Sequence, residues 1–532
     1  MQMIGGHMKT TSRLAIAAAG SFFLGGLALT PAKAADLGGN CCADLEERIA
    51  DLEATTVRKN KRNITITISG QVNKELLWWD DGAARRADIV ENNASPTRLR
   101  FEGSAKINPT LNAGYVIEMG FGTEAGSRRV DQIQAMRGQV ERMVNAQNGV
   151  NSLGADGFFT VRYNYIYLKD AKLGEVRLGH LNSISGEVFG LDLSGATGLT
   201  APFQFELQGG GLYMRRSDVQ GNGALVITRP ANAANGQSTF SGASTIRWAN
   251  VLGDTQQARD GWRSDQIRYE TPTFMGFAVS GSYSSENLID VGAKFANEFN
   301  GLRVAAGIGY TIDNDESAGQ AGAATNACTT QNAAPPCTTS VVLQDNLLPS
   351  PSGSVDNRYL VVGGSLWHIP TGLFVSGNYE KKEFRGTATN ITGAGPIAGA
   401  TTPPGVQRPD ASTWQIVAGV KKNFFGVGAT NVYGEYGKSD DWMLGQTKDF
   451  SGLGTNTTAN SSLSFSQVTK SEATTWGVGL IQTIDAANMD LYVGYRHYSA
   501  DIQGVTAQAP NTPIAAPLND LSVVMTGARI QF

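Results

Sequence analysis

The sequence predicts an all-β fold: a 16-stranded antiparallel transmembrane β-barrel, with short turns at one end and long loops at the other, preceded by a short helical segment. Three observations carry that expectation. Apolar and polar residues alternate with a period of two from Asn63 towards the C-terminus. The connections between these alternating segments are short and long by turns. No stretch beyond the N-terminal leader holds the roughly 18 continuous apolar residues of a membrane-crossing helix. In a bilayer every backbone N–H and C=O must be paired within the protein, so only helices or a closed barrel cross it.

Composition agrees. Glycine accounts for 64 of 532 residues, well above the usual share of ~7%. Charged residues make up 17%, below the ~25% of an average soluble domain. Sparse charge and abundant glycine without a collagen period suit strands joined by many turns. The formal charge is −4, and the charged residues of the leader, Lys9, Arg13 and Lys33, are all basic, so its removal leaves a more acidic chain. That balance argues against a nucleic-acid partner, which needs a basic face.

Residues 1–34 read as a secretory signal peptide: Lys9 and Arg13 flank an apolar run from Leu14 to Thr30, and Ala32-Lys33-Ala34 is the cleavage site, cut between Ala34 and Ala35. Residues 35–62 form an N-terminal segment in which Leu45, Ile49 and Leu52 fall at d, a and d of a heptad, with Thr56 at the next a. This predicts a short coiled coil over about 42–57. The barrel domain covers 63–532.

Within it, sixteen strands are expected at 63–79, 97–108, 110–121, 158–169, 173–181, 262–272, 276–284, 288–297, 302–313, 357–368, 372–384, 412–424, 430–442, 471–484, 489–499 and 519–532. Ile64, Ile66 and Ile68 against Thr65, Thr67 and Ser69 exemplify the pattern, one face for lipid and one for water. Long loops cover about 80–96, 122–157, 182–261, 314–356, 385–411, 443–470 and 500–518; Ser285 to Asn287 is short where a long one is due. Aromatic residues such as Trp78, Tyr283, Trp414, Trp476 and Tyr495 lie in strands or at their ends, as interfacial girdles do. Lys74 and Lys422 sit on the apolar phase. The strand at 357–368 has no clear polar face, and Val523 and Val524 break the alternation. In the second loop, Arg128 to Val144 switches to a helical period and predicts a surface helix over about 128–146.

Cys328 and Cys337, nine apart in a Pro- and Thr-rich loop of an exported chain, are expected to form a disulfide. Cys41 and Cys42 are adjacent and their state stays open. The cysteine spacing fits no zinc site, and no cofactor is expected. The four histidines, His7, His180, His368 and His497, are scattered and form no catalytic grouping, so no enzyme is expected.

Cys41 to Thr56, reading CCADLEERIADLEATT, followed by ITISGQVNK from Ile66 to Lys74 resembles the general diffusion porins of alphaproteobacteria. GEVRLGHLN at Gly174 to Asn182 resembles their fifth strand, which leads into a pore-constricting loop, and the terminal Phe532 fits as well. The resemblance implies a sixteen-stranded outer-membrane homotrimer for passive diffusion of small hydrophilic solutes and ions. It also implies contact with outer-membrane lipid and lipopolysaccharide, and delivery to the barrel-assembly machinery through Phe532. The third loop, about 182–261 and expected to fold into the pore, departs from the family in its length. The segment 35–62 would lie in the periplasm as a trimeric coil. Ala35-Asp36 resembles the start of alphaproteobacterial barrels joined covalently to peptidoglycan, with Ala35 as the attachment point.

The expected pore constriction follows from strand phase. Arg98 and Arg100 on the second strand, Arg162 on the fourth, Arg177 on the fifth and Arg268 on the sixth all take the polar phase and would gather on one wall. Glu187, Asp192 and Glu206 of the third loop are the candidate facing acids, setting a transverse field across the narrowest point. Two other readings stand beside a general pore. One is a structural or adhesive barrel anchoring the membrane to peptidoglycan. The other is a substrate-selective channel with lumen-facing aromatics, against which the mostly lipid-facing phase of the aromatics speaks.

Overall fold

The computed structural model describes residues 64–82, 85–92, 94–121, 159–201, 212, 214–217, 227–228, 239–240, 248–252, 263–284, 287–313, 357–384, 410–443, 448–449, 464–465, 467–506 and 509–532. Outside them lie the signal peptide and its Ala34/Ala35 junction, the coil at 42–57 with Cys41 and Cys42, the helix at 128–146, Glu206, and the pair Cys328 and Cys337.

Sixteen antiparallel strands close into one barrel. They are β1 (Ile64–Asp80), β2 (Arg98–Lys106), β3 (Leu111–Phe121), β4 (Phe159–Asp170), β5 (Gly174–Asn182), β6 (Arg263–Glu270), β7 (Phe277–Ser284), β8 (Leu288–Phe299), β9 (Leu302–Asp313), β10 (Asn357–His368), β11 (Leu373–Phe384), β12 (Ala411–Lys422), β13 (Thr430–Asp440), β14 (Gln467–Ile484), β15 (Met489–Thr506) and β16 (Leu521–Gln531). Each pairs with its neighbours in chain order, and β16 pairs with β1 from Gln71↔Gln531 to Asp80↔Ser522. The seam is completed by Phe532, whose backbone exchanges hydrogen bonds of 2.9 and 3.1 Å with Gly70. Closure leaves no open edge, which is what a lipid environment demands. No helix among the described residues is long and apolar enough to cross a membrane.

The outer face is layered. Phe274, Phe277, Phe299, Phe424, Phe425 and Phe532 are exposed at the turn end. Aliphatic residues such as Val72, Ile166, Leu178, Val291 and Ile416 cover the middle, and Tyr283, Tyr379, Tyr436 and Trp476 form an upper aromatic level. Above that level the outer face turns charged: Lys470 pairs with Asp501 at 2.6 Å, Lys438 with Glu472 at 3.2 Å, and Lys381 with Asp410 at 2.7 Å. Two aromatic levels bounding an aliphatic belt are the signature of a membrane-facing barrel.

The strands at 467–484 and 489–506 run further towards the loop end than alternation suggests. There the polarity inverts: Lys470, Glu472 and Asp501 point outwards, while Val468, Ala473, Tyr498 and Ile502 are buried inside. A reading that equates outside with apolar stops where the membrane stops. The short strand Arg85–Glu91 pairs with β1 beyond the top of β2, so that Glu91 receives the outward-pointing Lys74 in an ion pair. Lys422 lies at the turn end and donates to the Pro370 carbonyl at 3.2 Å, where a long cationic side chain reaches water.

Candidate functional site

After β5 the chain turns into the barrel rather than out of it. Ser183 caps a short helix, α1 (Ile184–Phe189), with its hydroxyl accepting from Gly186 N at 3.0 Å. The lumen faces of β8, β9 and β10 seat this helix because they carry glycines there. A Cβ on Gly292 would lie 2.6 Å from Ile184, one on Gly309 would lie 2.6 Å from the Ser185 hydroxyl, and one on Gly363 would strike the Val188 carbonyl. Asp290 of β8 accepts from Ser185 Oγ at 2.8 Å and Ser185 N at 3.1 Å, and Thr311 of β9 donates to Ser185 Oγ at 2.8 Å. Val188 and Phe189 pack on Tyr359 and Val361 of β10. The missing polar face of that strand has this cause: it is apolar to lipid on one side and to α1 on the other.

The loop then crosses the lumen along one wall. Leu193 N donates to Ser365 Oγ of β10 at 3.0 Å, Ser376 of β11 donates to Asp192 at 2.7 Å, and Asn431 of β13 donates to the Ser194 carbonyl at 3.1 Å. Ala196, Leu199 and Ala201 pack on Phe374, Val417, Tyr433, Ile481 and Tyr492, the inward side chains of β11 to β15. At its far end Leu199 O accepts from Asn92 at 2.8 Å.

Later parts of the loop fill the loop end of the same side. Leu212, Met214 and α2 (Trp248–Leu252) bury against Leu77, Trp79, Val468, Tyr498, Ile502, Leu521, Val523 and Met525. Val523 breaks the alternation because its neighbours inside the barrel are apolar. Arg215 secures the segment through Asp81 at 2.9 Å.

The arginines lie on the other side. Glu118 of β3 gathers three of them, Arg162 at 2.8 Å, Arg100 at 3.6 Å and Arg98 at 3.9 Å. Arg100 also meets Glu102 at 3.2 Å, and Arg177 meets Glu175 at 2.6 Å. Arg162 is the extra residue where the β3–β4 register shifts between Glu118 and Met119, a bulge that turns it into the lumen beside Tyr163. Arg268 is fully buried and grips Glu187 with two bonds of 2.6 and 2.9 Å, while reaching Glu270 at 2.9 Å. Lys294 of β8 adds a second cation to Glu187 at 2.8 Å.

Two of the three expected facing acids, Glu187 and Asp192, are therefore placed differently from expectation; Glu206 lies outside the described residues. Glu187 does not oppose the arginines across the pore but closes onto Arg268 at the base of the loop. Burial works against the Glu187 carboxylate, yet the Arg268 fork and Lys294 prevail and hold its pKa down at about 2. Asp192 turns towards the wall, where the Ser376, Ser194 and Thr197 hydroxyls outweigh burial and keep its pKa below the usual carboxylate range. Glu102, Glu118, Glu175, Glu270 and Lys294 were not anticipated. Glu102, Glu175 and Glu270 stand on the polar phase of strands that carry the arginines, and Glu118 and Lys294 on that of β3 and β8, so the same period-two pattern contains them.

Aromatic phase also divides. Tyr163, Tyr165 and Tyr167 share the lumen face of β4 with the arginines; the guanidiniums of Arg100 and Arg263 lie 5.9 and 5.5 Å from the Tyr163 ring. Of the three described histidines, His180 and His368 lie near strand ends and His497 in the middle of β15; His180 meets Asp265, His368 meets Thr371, and His497 meets Ser522. Among the described residues no group of histidine, cysteine and acid could hold a metal.

Comparison with known proteins places this geometry. No curated protein matches the chain. Among solved structures it is similar to an anion-selective porin from Comamonas acidovorans, at 16% identity over 88% of this chain and 100% of that one, with a TM-score of 0.46. It is similar to in-vitro folded OmpT, an outer membrane protein of Vibrio cholerae, at 13% identity over 90% and 99%, with a TM-score of 0.44. Salmonella typhi OmpF in complex with daunomycin matches at 12% identity over 90% and 100%, with a TM-score of 0.40. A model of the Gram-negative porin family matches residues 28–512. That span takes in nearly the whole barrel, and the chain accordingly belongs to the Gram-negative porins: it is an outer-membrane channel for passive diffusion and not an enzyme.

Proposed function

We propose that the channel is a general one for small hydrophilic solutes and ions, with its constriction between the strapped third loop and the wall carrying Arg98, Arg100, Arg162, Arg177 and Arg268. The supporting observation is the sidedness of the lumen. Apart from the Glu187–Arg268 pair at its base, loop 3 is fastened to β8–β16 and β1, whereas these arginines stand on β2, β4, β5 and β6. Among the described residues, three guanidiniums around Glu118, with only Glu102 besides, leave that part of the wall with excess positive charge. Charge fixed at a narrow point sets ion preference. Replacing Arg100 and Arg162 by Ser should shift the reversal potential in a salt gradient towards cations. An unchanged reversal potential in that double variant would remove this wall from the constriction.

The assembly we propose is a homotrimer, with the coil at 42–57 beneath the pores. Three copies already held at one base face a smaller entropy cost than free helices. Conductance in steps of three would support the trimer, and steps of one would count against it. Ala35 as a peptidoglycan attachment point is tested by mass spectrometry of the N-terminal peptide after muramidase digestion; a free amine throughout would exclude it.

A further inference from the structure

We propose that the arginine wall contains a binding site for aromatic carboxylates, formed by Arg98, Arg100 and Arg162 around Glu118 with Tyr163 and Tyr165 beside them. This rests on the channel reading and gives the constriction a preferred solute class.

The charged half of the site is an incompletely neutralised cluster. Glu118 is almost wholly buried and its two oxygens are shared by three guanidiniums. Arg98, Arg100 and Arg162 remain partly exposed, at 30%, 31% and 18%. Each guanidinium has more N–H donors than these contacts use, in a fork that matches a carboxylate. An entering carboxylate would restore the balance that Glu118 and Glu102 leave short.

The aromatic half is placed by the bulge at Arg162. The extra residue brings Arg162 and Tyr163 to the lumen side in succession, so a guanidinium and a phenol ring become neighbours. The Tyr163 and Tyr165 rings meet edge to face at 6.3 Å, and Arg100 lies over the first of them. A ring attached to a bound carboxylate could add a third member to this pair in the edge-to-face or offset arrangements aromatic groups prefer. An aliphatic carboxylate would meet the arginines equally well but gain nothing from the tyrosines.

The occupied side of the barrel supports the assignment. Loop 3 covers the lumen faces of β9 to β15 with Ala196, Leu199, Ala201 and α1. A solute passing that strap is directed towards β2–β5, where the site stands.

The test uses the purified full-length protein in planar lipid bilayers, with chloride as the current carrier and benzoate, cyclohexanecarboxylate and acetate as probes. Benzoate should reduce the chloride current at lower concentration than either of the others. Tyr163→Leu should weaken the benzoate block by about threefold to tenfold, the scale of one aromatic pair, and leave the acetate effect unchanged. Arg162→Ser should weaken all three. Equal effects of benzoate and cyclohexanecarboxylate, or a Tyr163→Leu channel that benzoate blocks as before, would overturn the site while the conductance itself upholds the channel. A bilayer silent before any carboxylate is added would overturn the channel reading, and the site with it.

Discussion

The buried guanidinium of Arg268 on β6 holds the carboxylate of Glu187 on α1 in a two-pronged pair, Nη1 to Oε1 at 2.6 Å and Nη2 to Oε2 at 2.9 Å. This pair joins the barrel wall to the first turn of the loop that narrows the lumen. Paired forks of this kind combine charge with fixed geometry.

Replacing Arg268 by Ser should therefore release the base of loop 3 without opening the barrel. Glu187 and Glu270 would lose their guanidinium, at roughly 1.5–3 kcal/mol for a hydrogen bond to a charged group. Limited proteolysis between 183 and 201 should accelerate and single-channel current should become noisier. Proteolysis at the wild-type rate would show that the glycine bed alone holds the helix.

The same pair sets an acid limit. With its pKa held at about 2, Glu187 stays ionised in the folded protein where a free carboxyl would already be protonated. Its contribution is complete above the ordinary value of 4.5 and is lost as pH falls from there through about 2. Channel current should thus hold steady as pH falls from 7 through the ordinary carboxylate range and change as pH approaches about 2. A Glu187→Gln channel should lack that acid transition, and its persistence in the variant would assign it to another group.

Gly363→Val should displace α1, because the added carbons meet the Val188 carbonyl. Overpacking of this kind costs about 1–3 kcal/mol. The strand itself should tolerate valine, since β10 already carries Val361 and Val362. Conductance should change while the temperature at which the barrel unfolds on gels stays close to wild type. Wild-type conductance would mean the helix can shift without affecting the path.

Trp248→Ala tests the apolar packing inside the barrel mouth. Trp248 is fully buried against Tyr498, with ring centroids 5.8 Å apart. Truncation of such a side chain costs roughly 3–5 kcal/mol. Backbone amides of 248–252 should lose hydrogen-exchange protection, and those of β3 and β4 should keep it. Equal loss in both regions would indicate that the plug and barrel unfold together.

Much of this molecule was legible along the chain. Period-two alternation marked all sixteen strands, and the sorting of short and long connections identified the two ends of the barrel. These features are local: a strand that faces lipid must show it within a few residues. The arginines of β2, β5 and β6 were legible by the same logic, because phase assigns a residue to the lumen, whereas Arg162 of β4 reaches it only through the bulge that puts it beside Tyr163. The resemblance in 41–79 and 174–182 supplied the expectation that the third loop folds inwards.

What tertiary structure alone decided was which lumen residues meet. Glu187 finds Arg268, 81 residues away, and Leu199 finds Asn92 at a separation of 107. Such pairings depend on strand tilt and register around the closed barrel, which no local pattern encodes. The apparent faults in the alternation have the same origin. Tyr359 and Val361 look misplaced on a water-facing phase until α1 covers them, and Val523 until Leu212 and Trp248 do. Period two says which way a side chain points; whether water, lipid or a folded-back loop waits there is settled only when the barrel closes.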